Sequence, residues 1–177
     1  MILKLKKTNR SYLSLLSPAK INLFFRVLKK REDGYHQIAS LYQAINLFDI
    51  LHIGISDIDS FTCSDRKIPT NSSNLIMKAI DVFRKKTNSK INVDIHLEKN
   101  IPIKAGLGGG SSNAATTLFA LNELANTKLS ISELRDLSSV IGSDVAFFFS
   151  TGLGYCTGKG EAIEDLNRSD FMFSAYL

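Results

Sequence analysis

The segment from Ile101 to Thr117 reads IPIKAGLGGGSSNAATT, and it is the strongest constraint on how this chain can fold. Four glycines fall within five positions, and residues that favour a helix follow them directly. Glycine lets the backbone turn sharply and approach a ligand closely, and the first N–H groups of a helix have no partner within the helix. A glycine loop that opens a helix therefore predicts an anion site, and phosphate is the obvious ligand.

Two common phosphate signatures do not match this loop. A Walker A loop needs a Lys after its glycines, and none follows here. The dinucleotide pattern G-x-G-x-x-G would begin at Gly106 but has Ser111 in place of its third glycine. A flexible linker is the alternative, yet apolar residues follow the loop at helical spacing. We predict an amphipathic helix over 111–126, with Ser111 or Ser112 as its N-cap.

The composition fits one globular domain. The chain has 177 residues, of which 44% are hydrophobic and 22% charged, so it can bury a sizeable core. Its apolar runs are too short to cross a bilayer, and residues 12–16 are too short and polar for a signal-peptide core. We therefore expect a cytoplasmic protein with no membrane partner, in which Cys63 and Cys156 are free thiols.

The net charge of +5 is concentrated at the beginning of the chain. Residues 1–35 carry nine Lys or Arg against two acids, whereas residues 36–177 carry 13 against 15. Proteins that bind nucleic acid usually spread basic and aromatic residues over a whole face. An anionic small molecule fits this distribution equally well, and we expect no nucleic-acid partner.

Extended structure is predicted from Ser14 to Leu28, where apolar and polar residues alternate. The period of two places Lys20 and Asn22 together on one face, and it places on the other face Ile21, Leu23, Phe25 and Val27. That polar face is either part of a site or a solvated edge. An Asp-Gly turn comes next, followed by Tyr35 and His36, whose rings suit a planar ligand although a lone His after a turn is usually a surface residue.

Further elements alternate along the rest of the chain. Asn74 ends a segment that caps a predicted helix, and Asp144 precedes an apolar segment read as a buried strand or hydrophobic stretch. Asp144 therefore either satisfies turn amides or serves as a site carboxylate. The predicted strands are His36–Ala44, Leu51–Ile55, Ser60–Cys63, Ile91–Lys99 and a final piece, Phe171–Leu177, and the predicted helices are Leu75–Lys86 and one that begins at Ser130 and ends at Gly142.

Five motifs together resemble one family. They are SPAKINLFFRVL, RxDGYH, PIKAGLGGGSSNAA, IGSDVAFFF and GKGE, in that order. From Ser17 onward the chain is similar to the 4-diphosphocytidyl-2-C-methyl-D-erythritol kinases of the non-mevalonate isoprenoid pathway, within the GHMP kinase superfamily. The resemblance implies an α+β fold like the GHMP kinase N-terminal domain, which is related to a ribosomal protein domain, with a mixed, largely antiparallel sheet packed with helices.

The resemblance also implies an activity and its residues. It implies an ATP-dependent kinase that uses Mg²⁺ and phosphorylates the 2-hydroxyl of a substrate with a cytidine diphosphate group. Asp144 matches the general base, and Lys20 matches the residue that orients it and stabilises the moving phosphoryl group. Asn22 matches a position near the erythritol end, and Tyr35 and His36 match residues that hold the cytosine. The positions matching the nucleotide site are Asn74 and Lys99 around adenine, and Pro102, Ile103, Lys104, Ala105, Gly106, Leu107, Gly108, Gly109, Gly110, Ser111 and Ser112 around the phosphates.

Three departures from the family pattern stand out. Ala146 replaces a usual Pro, and Lys104 lies where small residues are usual, which leads us to hypothesise an added phosphate contact. The chain also ends where a second domain is expected to begin. We expect residues 1–16 to be a leader that is disordered or extends a strand, residues 17–170 to be the nucleotide-binding domain, and residues 171–177 to start the next domain. Nucleotide binding is expected of such a chain even if catalysis needs the second domain.

Two other functions remain open from the sequence. A related kinase for homoserine or mevalonate is disfavoured because neither substrate has a base for Tyr35 and His36 to hold. An RNA-binding module is permitted by the basic N-terminal region, but the negative balance after residue 35 argues against it. The Ser111 and Ser112 hydroxyls are candidate Mg²⁺ ligands. Nothing in the sequence indicates the oligomeric state.

Overall fold

A computed structural model describes residues 12–30, 32, 34, 36–158, 160 and 162–166, and the backbone of residues 3–9. These residues form seven strands, three α-helices and one 3₁₀ helix. In chain order they are β1 Leu3–Asn9, β2 Tyr12–Lys30, β3 His36–Ser56, β4 Ser60–Cys63, α1 Leu75–Thr87, β5 Asn92–Glu98, α2 Gly109–Ala125, α3 Ile131–Ser138, the 3₁₀ helix Val145–Phe149, β6 Leu153–Thr157 and β7 Ala162–Asp165.

The described strands form one mixed sheet. Its main path runs β1-β2-β3-β5-β4, and β6 pairs with both β3 and β7. All pairings are antiparallel except that of β4 with β5. The predicted α+β fold, with a largely antiparallel sheet packed with helices, is confirmed.

One face of the sheet carries the core. Alternate residues of β2, β3 and β5 are buried there, as the period of a strand requires. They are Leu13, Leu15, Leu51, Ile53, Val93, Ile95 and Leu97. Residues 12–16, expected to precede the domain, lie inside this sheet, because Leu13 and Leu15 are core residues and β1 pairs with β2.

The second layer is helical, and α2 lies at its centre. This helix packs against β2, β3, α1 and the 3₁₀ helix, and eleven of its residues are buried. A helix enclosed by neighbours on nearly every side cannot keep a polar face, so the predicted amphipathic helix is instead a central buried one. Within the described part of the chain, no helix is both long enough and apolar enough to span a membrane.

The two longest strands differ from the sequence prediction. His36–Ser56 is a single strand of 21 residues, where two shorter strands were predicted. Its pairing with β2 is continuous across a register shift opposite Pro18 and Ala19, which accommodates extra β3 residues without ending the strand. A second shift follows Asn22, and beyond it both faces of β2 are exposed, including the large apolar residues Leu23, Phe24, Phe25, Val27 and Leu28.

Other predicted elements are corrected near the end of the described chain. The apolar stretch Val145–Phe149, predicted as a buried strand or a hydrophobic segment, is buried but forms a 3₁₀ helix rather than a strand. The helix expected to run to Gly142 ends at Ser138, although its predicted start is correct and Ser130 forms a capping box with Glu133. The predicted final extended piece, Phe171–Leu177, lies outside the described residues.

Candidate active site

Lys20 and Asp144, which lie far apart in the sequence, meet in the structure. The Nζ atom of Lys20 is 3.5 Å from Oδ2 of Asp144. The Lys20 side chain is 6% exposed and that of Asp144 is 29% exposed, so the cation is enclosed while the carboxylate remains accessible. The Asp144 side chain does not cap the 3₁₀ helix that follows it. The alternative that Asp144 only satisfies turn amides is therefore not supported.

Tyr42 completes this charged group and was not recognised from the sequence. Its hydroxyl lies 3.3 Å from Oδ1 of Asp144, and Lys20 Nζ lies 4.4 Å from its ring centroid. The ring packs edge-on against Phe147. Burial, together with the nearby Asp144 carboxylate, raises the pKa of Tyr42 well above its usual range. Tyr42 therefore stays a hydrogen-bond donor at any physiological pH.

A chain of polar contacts extends from Lys20 across two strands. Lys20 Nζ donates to Oδ1 of Asn22 at 2.8 Å, which confirms that the two side chains share a face. Asn22 Nδ2 donates to Ser40 Oγ at 3.0 Å, and Ser40 Oγ donates to the carbonyl of Phe24 at 2.6 Å. Each amide and hydroxyl is thus held in one orientation, and the Lys20 ammonium is fixed on two sides.

The glycine loop lies directly beside Lys20. The backbone N–H of Lys20 donates to the carbonyl of Leu107 at 2.9 Å. Gly108 has φ +69°, and a Cβ placed on it would lie 3.0 Å from Lys20 Cγ and 3.0 Å from Phe148 Cζ. Only glycine combines this conformation with so close an approach. The fold therefore requires glycine at this position, because the loop packs closely against the side chains of Lys20 and Phe148.

A cavity of about 210 Å³ opens along this loop. Its walls combine backbone N–H groups of the loop and the start of α2 with two lysines and a few apolar side chains. The lining residues are Leu75, Lys99, Pro102, Ile103, Lys104, Ala105, Gly106, Leu107, Gly108, Gly109, Gly110 and Ser111. All the predicted phosphate-site residues except Ser112 therefore line one cavity.

The helix α2 begins earlier than predicted. Its N-cap is Gly108 in the left-handed conformation, and Gly109 and Gly110 form its first turn, so neither Ser111 nor Ser112 is the cap. The close approach to Lys20 excludes a larger cap residue, which overrides the usual preference for Ser at this position. Ser111 reaches the cavity, whereas Ser112 is fully buried and its Oγ has no hydrogen-bond partner.

The residues predicted around adenine also serve the fold. The side chain of Asn74 caps α1 by accepting from Ile76 N at 2.9 Å, and its Nδ2 donates to the carbonyl of Pro69 at 2.7 Å. Lys99 lines the cavity, but its Nζ is turned inward to Asp49.

Of the two residues predicted to hold the cytosine, His36 falls within the described part of the chain. His36 is exposed at the first position of this strand, opposite Lys30. Tyr35 lies outside the described residues. The structure thus places His36 on the same strand as Ser40 and Tyr42 without showing a contact between His36 and the site.

Asp49 is a second residue that the sequence analysis missed. It is fully buried near the middle of β3 and pairs with Lys99 at 2.9 Å. A carboxylate within the apolar stretch LFDILHI was the available signal, because a charge inside a buried strand is rarely tolerated without partners. Those partners come from segments far along the chain, which the sequence pattern could not reveal.

Comparison with known proteins agrees with this architecture. Residues 74–152 match the family described as GHMP kinases N terminal domain. A 4-diphosphocytidyl-2-C-methyl-D-erythritol kinase of Protochlamydia amoebophila (strain UWE25) is 53% identical over 152 residues, which cover 86% of this chain and 53% of that protein. The chloroplastic kinase of the same name from Arabidopsis thaliana is 49% identical over 164 residues, covering 91% and 43% respectively.

A solved structure gives the same result. The crystal structure of a 4-(cytidine 5'-diphospho)-2C-methyl-D-erythritol kinase superimposes with a TM-score of 0.73 at 35% identity, covering 86% of this chain and 55% of that one. The resemblance drawn from the five motifs is confirmed. The chain spans about half the length of the curated relatives it matches.

Proposed function

We propose that this chain, which matches the GHMP kinase N-terminal domain over residues 74–152, belongs to an ATP-dependent kinase acting on a small molecule. We propose 4-diphosphocytidyl-2-C-methyl-D-erythritol as the acceptor, phosphorylated on its 2-hydroxyl. The relatives that match most of this chain carry that substrate in their names. The activity is proposed for the whole protein, of which the described residues form the nucleotide side.

One observation carries the proposal: the enclosed Lys20, which pairs with the accessible Asp144 carboxylate, lies directly against the glycine loop. The loop offers backbone N–H groups to an anion, and the partial positive charge at the start of α2 adds to their attraction. Lys20 contacts Gly108 at one end and Asp144 at the other. Lys20 and Asp144 do not line the cavity themselves, and we propose that a phosphate held by the loop would have this cation at its side and the carboxylate beyond it, the arrangement that phosphoryl transfer needs.

The proposed reaction assigns one role to each side chain. Asp144 accepts the proton of the acceptor hydroxyl, whose oxygen then bonds to the terminal phosphorus of ATP while the bond from that phosphorus to the ADP oxygen breaks. Lys20 holds Asp144 in place and stabilises the negative charge of the moving group. Tyr42 remains protonated and donates to Oδ1 of Asp144 while Lys20 lies beside Oδ2, so the two contacts together orient the carboxylate.

Mg²⁺ is proposed as the metal, and it would neutralise charge on the nucleotide phosphates. The Ser111 hydroxyl at the cavity wall is a suitable ligand, whereas Ser112, the other serine considered from the sequence, is fully buried and does not line the cavity. Among the described residues, no group of three or more His, Cys, Asp or Glu is arranged to hold a metal.

Substrate recognition is proposed to extend along β2 and β3. Asn22 would contact the erythritol end, because its amide is held beside Lys20. His36, together with Tyr35, would hold the cytosine, and Asn74 and Lys99 would lie around the adenine, where Lys99 and Leu75 line the cavity. We propose that the nucleotide-binding domain, expected over residues 17–170, also includes the start of β2 from Tyr12. We further propose that the protein acts in the cytoplasm and that its partners are small molecules rather than nucleic acid or membranes.

Calorimetric titration of the 177-residue chain tests the proposal. We expect saturable binding of a non-hydrolysable ATP analogue with Mg²⁺, followed by binding of the cytidine diphosphate substrate. Homoserine and mevalonate serve as competing acceptors, and neither should bind. A folded chain that binds neither the analogue nor the substrate would overturn the proposal for this domain, and binding of homoserine or mevalonate instead would reassign the acceptor.

A further inference from the structure

Asp49 gathers hydrogen bonds from both ends of the glycine loop. Its Oδ1 accepts from the backbone N–H of Asn100 at 2.7 Å and of Ile101 at 2.8 Å, immediately before the loop. Its Oδ2 accepts from Asn113 Nδ2 at 2.9 Å, in α2 just after the loop. One carboxylate thus fixes where the loop begins and where it ends.

The ammonium group of Lys99 points toward Asp49 rather than into the cavity, and it strengthens this arrangement. Its Nζ is 3.0 Å from Oδ1 and 2.9 Å from Oδ2 of Asp49, and it also donates to the carbonyl of Ile101. The Asp49 side chain is 0% exposed and that of Lys99 is 6% exposed. Removing two charges from water is costly, and it is tolerated where each is paired and hydrogen-bonded, as here.

We infer that Asp49 is the positioning residue of the nucleotide site, because it sets the separation of the two loop ends and so aims the loop N–H groups at the phosphates. This inference rests on the proposed function, in which the loop binds a nucleotide. Asp49 is fully buried and is not among the residues that line the cavity. Its effect passes through the backbone of residues 100 and 101 and through the side chain of Asn113.

The experiment compares Asn113→Ala with Asn122→Ala in the 177-residue chain. Both asparagines are buried in α2 and both hydrogen-bond through their side chains. Asn113 ties α2 to Asp49, whereas Asn122 bonds to Leu129 and Thr127 at the far end of the helix. Neither variant leaves a buried charge without its ion-pair partner, which makes both more tractable than Asp49→Asn.

Two readouts are measured on each variant. Amide hydrogen exchange over residues 103–110 should be faster in Asn113→Ala than in the unchanged protein, and unchanged in Asn122→Ala. Affinity for the non-hydrolysable ATP analogue should fall roughly tenfold in Asn113→Ala and stay unchanged in Asn122→Ala. A tenfold change corresponds to the loss of about one hydrogen bond to a charged group.

The outcomes separate this inference from the proposed function. Loop exchange that is unchanged in Asn113→Ala, or that rises equally in both variants, would overturn the positioning role of Asp49. If the unchanged protein does not bind the analogue, the proposed function loses its support, and the exchange readout alone still decides whether Asp49 holds the loop.

Discussion

Replacing Gly108 by Ala should destabilise the protein through two effects that the structure separates. The backbone of Gly108 has φ +69°, which an L-residue adopts at a cost of about 1–2 kcal/mol. The new Cβ would also lie 3.0 Å from both Lys20 Cγ and Phe148 Cζ. Phe148 is fully buried, so it cannot move aside freely, and inserting a methyl group into a packed region typically costs about 1–3 kcal/mol.

Gly106→Ala is the matched control, because Gly106 has φ +75° and nothing lies within 4 Å of its Cβ position. Both variants gain the same reduction of unfolded-state entropy, so this contribution cancels in the comparison. We expect Gly106→Ala to lose about 1–2 kcal/mol of unfolding free energy and Gly108→Ala roughly 2–5 kcal/mol. The difference of about 1–3 kcal/mol measures the crowding alone.

Urea unfolding followed by circular dichroism, with both variants fitted with a common slope, gives the two free energies. Equal losses for Gly106→Ala and Gly108→Ala would refute the claim that Gly108 is required by the close approach of Lys20 and Phe148. In that case only the backbone conformation would select glycine in the loop.

Three further perturbations test the site and the fold. Asp144→Asn should lower phosphoryl transfer about 10²- to 10⁴-fold while calorimetry shows nearly unchanged ATP affinity, and normal turnover would remove Asp144 from the mechanism. Lys104→Ala should weaken binding of the ATP analogue if this exposed loop residue contacts a phosphate, and an unchanged affinity dismisses the contact. Asp59→Asn should lose up to about 1 kcal/mol of stability at pH 7. Hydrogen bonds from Arg84 hold the pKa of Asp59 below its usual value, so the carboxylate stabilises the fold above the unfolded-state pKa of about 3.9, and that contribution is lost as pH falls through the folded pKa. Urea midpoints of the variant and the unchanged protein should therefore converge in acid, and a gap that persists there would contradict the assignment.

Local patterns predicted the features that depend on neighbouring residues. The period of two brought Lys20 and Asn22 together, and their side chains are hydrogen-bonded at 2.8 Å. The cap of α1 at Asn74 and the capping box at Ser130 also follow from short-range rules. These predictions succeeded because each interaction spans only a few residues.

The features that the sequence did not predict depend on contacts between distant segments. Gly108 caps α2 in place of Ser111 because Lys20, on another element, occupies the space that a side chain would need. The unbroken length of β3 reflects its pairing with β2, and the hydrogen-bond partners of Asp49 lie 51 to 64 residues further along the chain. The glycine loop can be recognised from its motif, whereas distant residues that contact it, such as Lys20 and Asp49, cannot.

The hydrogen bond from Lys20 N to the Leu107 carbonyl joins β2 to the glycine loop, and the close approach of Gly108 to Lys20 adds a second connection. Asp144 lies on a different segment, before the 3₁₀ helix, and reaches Lys20 through its side chain. An inhibitor that fills the loop cavity can therefore be extended toward Lys20 along a fixed direction. A group that continues toward Asp144 should be a hydrogen-bond donor, because it would meet a carboxylate that Lys20 and Tyr42 already hold in place.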